Sequence, residues 1–287
     1  MTRLADLLEL VRAPAALTVL GDTVVGSTSA RGGVTGRGIP LSVSSVCLYT
    51  AGMALNDYAD ADLDATERPE RPIPSGRISR TAALAVGAGL TAAGVALAFT
   101  AGRASGLVSL ALAASVWTYD LFAKSTPAGP ALMALCRGLD VMMGAAGPGW
   151  RRAVLPAVLV AAHTAALTAV SQGEVNGTSR TTAAGAAAVT ATTAALIPVG
   201  AAAGSAAGAV IGAAGYAAAV LPAQLDAVRS PDARTARIAT RQGIRAMVPL
   251  QTALVARTGA TAATALLVGI QGAGHALTRV RTRGDVT

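Results

Sequence analysis

Residues Asn56 to Gly76 read NDYADADLDATERPERPIPSG, and this acidic stretch lies between long apolar segments that contain almost no acid. An apolar helix that enters the stretch and continues through it places side chains four residues apart on one face. Asn56, Asp60 and Asp64 then form one stripe, and Asp57 lies at its edge. The spacing therefore predicts several oxygen ligands converging at one end of an apolar helix.

Converging carboxylates at the mouth of an apolar bundle repel one another unless a cation lies among them. Hard oxygen ligands that leave room for water and phosphate oxygens favour Mg²⁺ over a softer metal. We therefore expect Asn56, Asp57, Asp60 and Asp64 to hold Mg²⁺ with a phosphate on it. Asp62 is expected to point away from this stripe.

The helix is expected to end shortly after Asp64, because Pro69 disfavours the helical conformation at Arg68 and further prolines follow. The extended loop beyond it carries Arg68, Arg71 and Arg77, whose guanidinium groups suit the binding of phosphate oxygens opposite a metal. The alternative is a solvated acidic and basic connector between two helices.

The pattern N-D-x-x-D-x-x-x-D followed by R-P-x-x-R-P-I-P-S-G resembles the first aspartate-rich motif of the UbiA-type intramembrane prenyltransferases. The resemblance implies that Asn56, Asp60 and Asp64 hold Mg²⁺ on an isoprenyl diphosphate. It also implies that Lys124 binds the diphosphate and that Tyr119 lies beside the prenyl chain. The alternative for these two residues is an interfacial aromatic belt with a snorkelling lysine.

The connector from Ser171 to Arg180 reads SQGEVNGTSR and corresponds to the family's second motif, a D-x-x-x-D. In the family this motif holds another Mg²⁺, but only Glu174 is acidic here. We therefore expect Glu174 to hold at most one weakly bound second ion, or the first ion through water, with Arg180 or Lys124 supplying part of the missing positive charge. Together with C-R-G-L at residues 136–139, the S-x-G-E-V-x-G pattern resembles the EboC-like subgroup.

Arg137 and Asp140 are charged residues three positions apart within an apolar segment. Charge inside a membrane usually indicates a partner or a function. Mutual pairing is one interpretation, and the other is that Arg137 faces a central cavity and binds the acceptor or the diphosphate. Asp22 and His163 stand alone in their segments, and a lone histidine is more often packed and hydrogen-bonded than catalytic.

The composition indicates a membrane protein, because 53% of the 287 residues are hydrophobic and only 13% are charged. Small side chains dominate, which suits close helix packing in lipid. Several apolar segments of about 20 residues can each cross a ~30 Å hydrocarbon core. They are Ala13–Ala30, Ile39–Leu55, Thr81–Gly102, Ser105–Phe122, Gly129–Gly147, Ala153–Val170, Thr182–Ala201 and Ala203–Leu225.

The tail is ambiguous, because Gly259–Leu277 is long enough to span whereas the apolar run before it is short and contains Pro249. The family resemblance implies nine helices, which makes Ile238–Arg257 interfacial or partly inserted. We therefore predict a single domain over residues 1–287, an all-α polytopic bundle of about nine transmembrane helices around a central cavity.

The basic residues favour membrane lipids and diphosphates over nucleic acid as partners, because they are scattered over connectors without interleaved aromatic residues. Their asymmetry across the membrane predicts that both acidic connectors are cytoplasmic, in an integral protein of the cell (inner) membrane. Asp6 and Glu9 argue against a signal peptide. Cys47 and Cys136 lie in apolar segments and are expected to be free thiols.

The predicted activity is Mg²⁺-dependent transfer of a prenyl group from an isoprenyl diphosphate to a small acceptor. Asn56, Asp60 and Asp64 would hold the metal, and Arg68, Arg77 and Lys124 would draw charge onto the leaving diphosphate. Two alternatives stay open. One is pentosyl or phosphoribosyl transfer onto a lipid phosphate, and the other is a non-catalytic lipid-binding or transport component.

Overall fold

The protein is built from α-helices, and the computed structural model describes residues 4–12 and 18–284, with side chains up to residue 272. No β-strand occurs in these ranges. The helices are α1 (Leu4–Leu10), α2 (Leu20–Arg31), α3 (Gly38–Ala59), α4 (Ala61–Glu67), α5 (Arg80–Ala101), α6 (Arg103–Thr118), α7 (Gly129–Ala145), α8 (Val154–Ser171), α9 (Arg180–Leu196), α10 (Ala206–Arg229), α11 (Ala233–Arg245), α12 (Met247–Ala256) and α13 (Thr261–Gly284).

Each apolar segment predicted from the sequence corresponds to one helix, although residues 13–17 of the first segment lie outside the described ranges. Within the described residues, 5 helices are long and apolar enough to cross a membrane. They are Gly38–Ala59, Arg80–Ala101, Arg103–Ala123, Trp150–Ser171 and Ala206–Arg229. Helices α2, α7 and α9 are shorter, so the predicted number of nine crossings is approximate.

The tail differs from its prediction, because the segment Ile238–Arg257 is two helices that meet at Ala246 rather than one interfacial or partly inserted helix. Helix α12 is buried in the core through Leu250, Leu254 and their neighbours. Pro249 lies in the first turn of α12, where a missing backbone N–H breaks no helical hydrogen bond. The proline therefore helps to begin a buried helix, whereas the sequence reading took it as a reason against insertion.

Polar caps fix where three helices begin. The side chains of Ser79, Ser179 and Asp232 accept hydrogen bonds from the backbone N–H groups of Ala82, Thr182 and Thr235. Each cap satisfies one of the unpaired donors in the first helical turn. The caps thereby set the boundary between each connector and the helix that follows it.

Glycines allow α2 and α7 to approach closely. A Cβ atom at Gly26 would lie 1.9 Å from the carbonyl oxygen of Val141, and one at Gly144 would lie 2.3 Å from that of Thr23. Real Cβ atoms do not approach a carbonyl oxygen so closely, so only glycine fits at either position. This contact holds Asp22 on α2 beside Arg137 on α7, in the wall of the cavity described below.

Candidate active site

The acidic motif begins at the end of α3 and continues into α4 across a single non-helical residue, Asp60. The backbone N–H of Asp60 donates to the carbonyl of Asn56 at 2.9 Å, and that of Asp64 donates to the carbonyl of Asp60 at 2.8 Å. The helical path is therefore preserved across the break. Helix α4 ends at Glu67, directly before Arg68, as the proline pattern predicts.

The four predicted ligands lie at two edges of the stripe. On an ideal helix Asp57 and Asp64 differ by about 20°, whereas Asp60 lies about 40° from both Asn56 and Asp64. The cation partners decide the division, because Lys124 contacts Asn56 and Asp60 whereas Arg71 contacts Asp57 and Asp64. The predicted single group of ligands is thus divided in the structure.

At the first edge, Lys124 joins the motif to the turn that follows α6. Its Nζ atom lies 2.6 Å from Oδ1 of Asp60 and 3.5 Å from the carbonyl oxygen of Asn56. The Asn56 side chain donates to Oδ1 of Asp120 at 3.4 Å. We call Asn56, Asp60, Asp120 and Lys124 the phosphate-end group.

At the second edge, Arg71 bridges two carboxylates. Its Nη1 atom lies 2.6 Å from Oδ2 of Asp64 and 3.3 Å from Oδ1 of Asp57. Arg12 also contacts Asp57, at 3.0 Å, and Arg68 lies 4.0 Å from Asp64. Arg71, one of the three loop arginines that the sequence predicts to bind phosphate oxygens, is therefore the central cation of this edge.

Arg77, a predicted diphosphate ligand, contacts α1 in this structure. Its guanidinium lies 2.9 Å from Asp6 and 2.6 Å from Glu9. The hydrogen bond from Arg77 lowers the pKa of Glu9, and the two acids raise the pKa of Arg77. Asp62 points away from the stripe as expected, with its side chain 88% exposed and paired with Arg80.

The turn from Tyr119 to Ala123 is a π-helix that closes with a hydrogen bond from the backbone N–H of Lys124 to the carbonyl of Tyr119, at 2.9 Å. Such turns are frequent at functional sites. This turn places Tyr119 and Asp120 in the wall of a cavity and Lys124 beside Asp60. The sequence reading missed Asp120. Its signal was a lone acid between an aromatic residue and a lysine at the end of an apolar segment.

The cavity extends from the phosphate-end group into the bundle, between α2, α3, α6 and α7. Most of its wall is apolar, and Gly52 on α3 keeps the passage beside Asp120 open, since a Cβ there would lie 3.3 Å from Asp120 Oδ2. Trp117 faces α5 instead, where it donates to Thr91. The apolar lining comprises Val19, Leu48, Met53, Leu112, Val116, Met133 and Cys136.

Arg137 lines the cavity and pairs with Asp22 of α2. Its Nε atom lies 3.0 Å from Oδ2 of Asp22, whereas Asp140 accepts a 2.5 Å hydrogen bond from Ser45. Mutual pairing of Arg137 with Asp140 is therefore the wrong interpretation, and Asp22 does not stand alone. We call Asp22, Ser45, Arg137 and Asp140 the buried polar cluster.

The connector from Ser171 to Arg180, which we call the second connector, packs against α11 and the loop before it. Arg237 donates to the carbonyl of Glu174 at 2.6 Å, and Thr178 donates to the carbonyl of Pro231. Arg180 is exposed at the start of α9. No contact of the Glu174 or Arg180 side chain with the first motif occurs among the described residues.

Two further predictions are confirmed. His163 is packed and hydrogen-bonded, with Nδ1 2.8 Å from the hydroxyl of Tyr216 and Nε2 3.1 Å from the carbonyl of Gly243. Cys47 and Cys136 are free thiols.

The oxygen ligands of the motif match the chemistry that Mg²⁺ prefers. Asp60 and Asp64 each face a cation at 2.6 Å, from Lys124 and Arg71 respectively. In the part of the chain that the structure describes, no three Asp, Glu, His or Cys side chains form a metal-binding group. Because the acids are divided between two edges, these residues fit a metal ion that arrives with further oxygen ligands, such as those of a diphosphate.

Comparison with known proteins agrees with this arrangement. Residues 23–241 match the UbiA prenyltransferase family. The chain is 33% identical over 150 residues to a digeranylgeranylglyceryl phosphate synthase of Korarchaeum cryptofilum, covering 52% of this chain and 53% of that protein. It is 40% identical over 130 residues to the synthase of Methanoregula boonei, covering 44% and 46%. The chain thus matches about half the length of these curated relatives.

Solved structures share the fold. A UbiA homologue from Aeropyrum pernix has a TM-score of 0.66 at 20% identity, covering 92% of this chain and 98% of that one. A UbiA homologue from Archaeoglobus fulgidus bound to DMAPP and Mg²⁺ has a TM-score of 0.61 at 15% identity, covering 84% and 99%. Since the family match covers most of the chain and the folds agree, this protein belongs to the UbiA prenyltransferase family.

Proposed function

We propose that this protein catalyses Mg²⁺-dependent transfer of a prenyl group from an isoprenyl diphosphate to a small acceptor within the membrane. The observation that carries the proposal is the junction between the phosphate-end group and the apolar cavity, which meet at Gly52 and Asp120. An isoprenyl diphosphate has the same two parts, a charged end joined to an apolar chain.

The diphosphate is bound at the end of α3. Asn56, Asp60 and Asp64 would hold Mg²⁺, which when bound would add positive charge to the leaving group. Lys124 and Arg71 already lie within 2.6 Å of Asp60 and Asp64, so they are placed to contact phosphate oxygens beside the same carboxylates. Arg68 is the third cation near the diphosphate. Arg77 reaches it only by leaving Asp6 and Glu9, so it is the weaker candidate of the predicted arginines.

The prenyl chain occupies the cavity. When the bond between the allylic carbon and the diphosphate oxygen breaks, the electron pair leaves with the diphosphate and an allylic cation remains. The ring of Tyr119 stabilises this cation through its negative face, and the apolar walls exclude water until the acceptor reacts.

The second connector contributes less than a full metal site. Glu174 is its single acid, and its backbone carbonyl is bound by Arg237. We therefore expect Mg²⁺ dependence with a single-site titration curve. Glu174→Gln should raise the Mg²⁺ requirement without abolishing transfer, and a two-site titration curve or an inactive Glu174→Gln protein would contradict this part of the proposal.

The proposed orientation puts both acidic connectors on the cytoplasmic side of the cell membrane. Asn56 lies in the last turn of α3 and Glu174 follows α8, and both α3 and α8 with its preceding turn are long and apolar enough to cross. The asymmetry of basic connectors supports the cytoplasmic side. Cysteine-accessibility labelling at Asp62 and Gln172 in intact cells tests this, because both residues should react only after the membrane is permeabilised.

Pentosyl transfer is the less favoured alternative. A phosphoribosyl donor needs hydrogen-bonding partners for its hydroxyl groups, whereas the cavity beyond Gly52 is lined mainly by Leu48, Leu112, Val116 and Met133. This lining suits an isoprenyl chain.

The test uses the full chain in lipid nanodiscs with Mg²⁺ and a panel of dimethylallyl, geranyl, farnesyl and geranylgeranyl diphosphates. Geranylgeranylglyceryl phosphate serves as one acceptor and a total lipid extract as the other, with products identified by mass spectrometry. A Mg²⁺-dependent prenylated product supports the proposal. Absence of product with every donor, despite diphosphate binding, would move the assignment to a non-catalytic lipid-binding protein.

A further inference from the structure

We propose that a second cavity, at the end of the bundle opposite the acidic motif, binds the phosphate group of an anionic lipid. The cavity measures about 350 Å³, and its lining includes Ser29 of α2, Arg152 before α8, Gly200 between α9 and α10, and Arg257 after α12. We call it the arginine cavity. Helix α3 begins at this end, at Gly38, and runs 22 residues to the acidic motif, so about 30 Å separates the two sites. The proposal therefore does not depend on prenyl transfer.

The first argument is the charge at this end of the bundle. The connectors here carry basic residues alone, and these are Arg31, Arg37, Arg103, Arg151, Arg152 and Arg257. Asp and Glu are absent from all the segments that reach this end, which are residues 23–56, 71–119, 141–173, 175–225 and 233–284. In the orientation proposed above, this end faces the non-cytoplasmic side, where arginine is disfavoured in short connectors. An anion from outside the chain would balance the charge.

The second argument is the hydrogen-bonding capacity that the wall of the arginine cavity leaves unused. Arg257 is 8% exposed, and its guanidinium donates to the carbonyl of Val199, but its Nε atom has no hydrogen-bond partner among the described residues. The Oγ atom of Ser29, which is 9% exposed, has no partner in the described part of the chain either. The carbonyl of Arg257 accepts hydrogen bonds from Ala202 and Ser205, so the backbone holds this arginine in place without a ligand. Buried donors without acceptors are costly, and a ligand with several acceptor oxygens is therefore favoured here.

The third argument is the loop that presents Arg152. A Cβ atom at Gly149 would lie 2.3 Å from the carbonyl oxygen of Ala30, so only glycine allows this loop to cross the end of α2. The short helical turn that follows separates two adjacent arginines. Arg151 lies over the ring of Trp150 at 5.7 Å, whereas Arg152 lines the cavity. Because tryptophan in membrane proteins is enriched at the level of the lipid headgroups, the arginine cavity lies at the depth of lipid phosphates.

The charge, the donors and the volume together define the ligand. Guanidinium groups form paired, charge-assisted hydrogen bonds with phosphate oxygens. The hydroxyl of Ser29 can donate a further hydrogen bond to the same group. A volume of about 350 Å³ falls within the range of cavities that hold whole small molecules, so it accommodates more than a bare phosphate ion. A phosphate joined to a lipid glycerol matches both the charge and the volume.

The experiment counts the lipids bound to the full chain by native mass spectrometry, in a neutral detergent without Mg²⁺ or prenyl donor. The probes are dihexanoyl phosphatidic acid, which is anionic, and dihexanoyl phosphatidylcholine, which has the same chains and no net charge. Inorganic phosphate at equal concentration serves as the competitor. We expect the wild type to bind phosphatidic acid at least about tenfold more tightly than phosphatidylcholine, and inorganic phosphate not to displace it.

The decisive comparison is between Arg152→Gln and Arg151→Gln. The two substitutions are chemically identical and adjacent, and both side chains belong to exposed residues, so neither should prevent folding. Arg152→Gln should weaken the binding of phosphatidic acid about tenfold, whereas Arg151→Gln should leave it unchanged. Equal binding of the two lipids, equal effects of the two variants, or no loss in Arg152→Gln would each overturn the proposal. Displacement of phosphatidic acid by inorganic phosphate would overturn the lipid as the source of the phosphate group.

Discussion

The ion pair between Arg137 and Asp22 should contribute substantially to stability. In the structure Arg137 pairs with Asp22, whereas the sequence spacing favours Asp140 as its partner. The Asp22 side chain is fully buried and that of Arg137 is 11% exposed. Asp22 also accepts a 2.7 Å hydrogen bond from Gln251. Arg137→Met would therefore remove the cation that pairs with Asp22 and leave its buried carboxyl with Gln251 and the Asp140 carboxyl as partners.

The expected magnitude follows from the burial of both groups. Removing one partner of a buried ion pair typically costs about 3–5 kcal/mol, because the remaining charge stays desolvated. Removing both partners together is far less costly, so Asp22→Leu combined with Arg137→Met should recover about 2–3 kcal/mol relative to the sum of the single variants. Arg137→Met alone should lower the unfolding temperature by about 10 °C.

The assay is a double-mutant cycle on unfolding in detergent, run for two pairs. The interaction energy of Arg137 with Asp22 should exceed that of Arg137 with Asp140 by at least about 1 kcal/mol. Asp140→Asn is a suitable single variant for the second cycle, because Ser45 can still donate to its side-chain oxygen. An interaction energy near zero for Arg137 with Asp22, or a larger one with Asp140, would refute the contact described here.

Gly144→Ala should destabilise the bundle by about 1–3 kcal/mol, because the new Cβ would lie 2.3 Å from the Thr23 carbonyl oxygen. The control is Gly185→Ala, where the new Cβ lies in open space, and it should be neutral or stabilising in the same unfolding assay. Gly52→Ala should leave stability nearly unchanged but lower transfer in the nanodisc assay, because the new methyl group would narrow the passage beside Asp120 and Val116; full activity would contradict the proposed path. The pKa of Glu9 is lowered from 4.5 by its hydrogen bond from Arg77, so the stabilisation it provides is present above pH 4.5 and is lost as the pH falls through the folded-state pKa. Glu9→Gln should therefore destabilise at pH 7 by less than about 1 kcal/mol and have no effect well below pH 4, and an equal effect at both pH values would contradict the ion pair.

The helices could be predicted because their signal is local. Apolar runs such as Thr81–Gly102 agree with α5 (Arg80–Ala101) to within a residue at each end, and the prolines after Asp64 predict the end of α4. The tail could not be predicted in the same way. The burial of the run around Pro249 depends on contacts with other helices. Helix α12 is covered by α10, which lies earlier in the sequence, and by α13, which lies later.

The residues of the site could be predicted from the sequence, but the contacts between their side chains could be predicted less well. The spacing of the acidic motif places its ligands on one face, yet their division into two edges depends on Lys124 and Arg71, which approach from other segments. Arg137 pairs with Asp22, which lies 115 positions earlier in the sequence, and no local rule can identify such a partner. Asp120 was visible as an acid beside Tyr119, but only the π-helical turn shows that it faces the cavity.

The most direct test of the central claim compares Asp60→Asn with Asp62→Asn in Mg²⁺-dependent prenyl transfer by the full chain in nanodiscs. The two substitutions are chemically identical and two positions apart, but Asp60 faces Lys124 whereas Asp62 is exposed and faces Arg80. We predict that the wild type forms a prenylated product, that Asp60→Asn reduces its rate about 100-fold or more, and that Asp62→Asn stays close to wild type. Equal losses in both variants, or full activity in Asp60→Asn, would contradict the account.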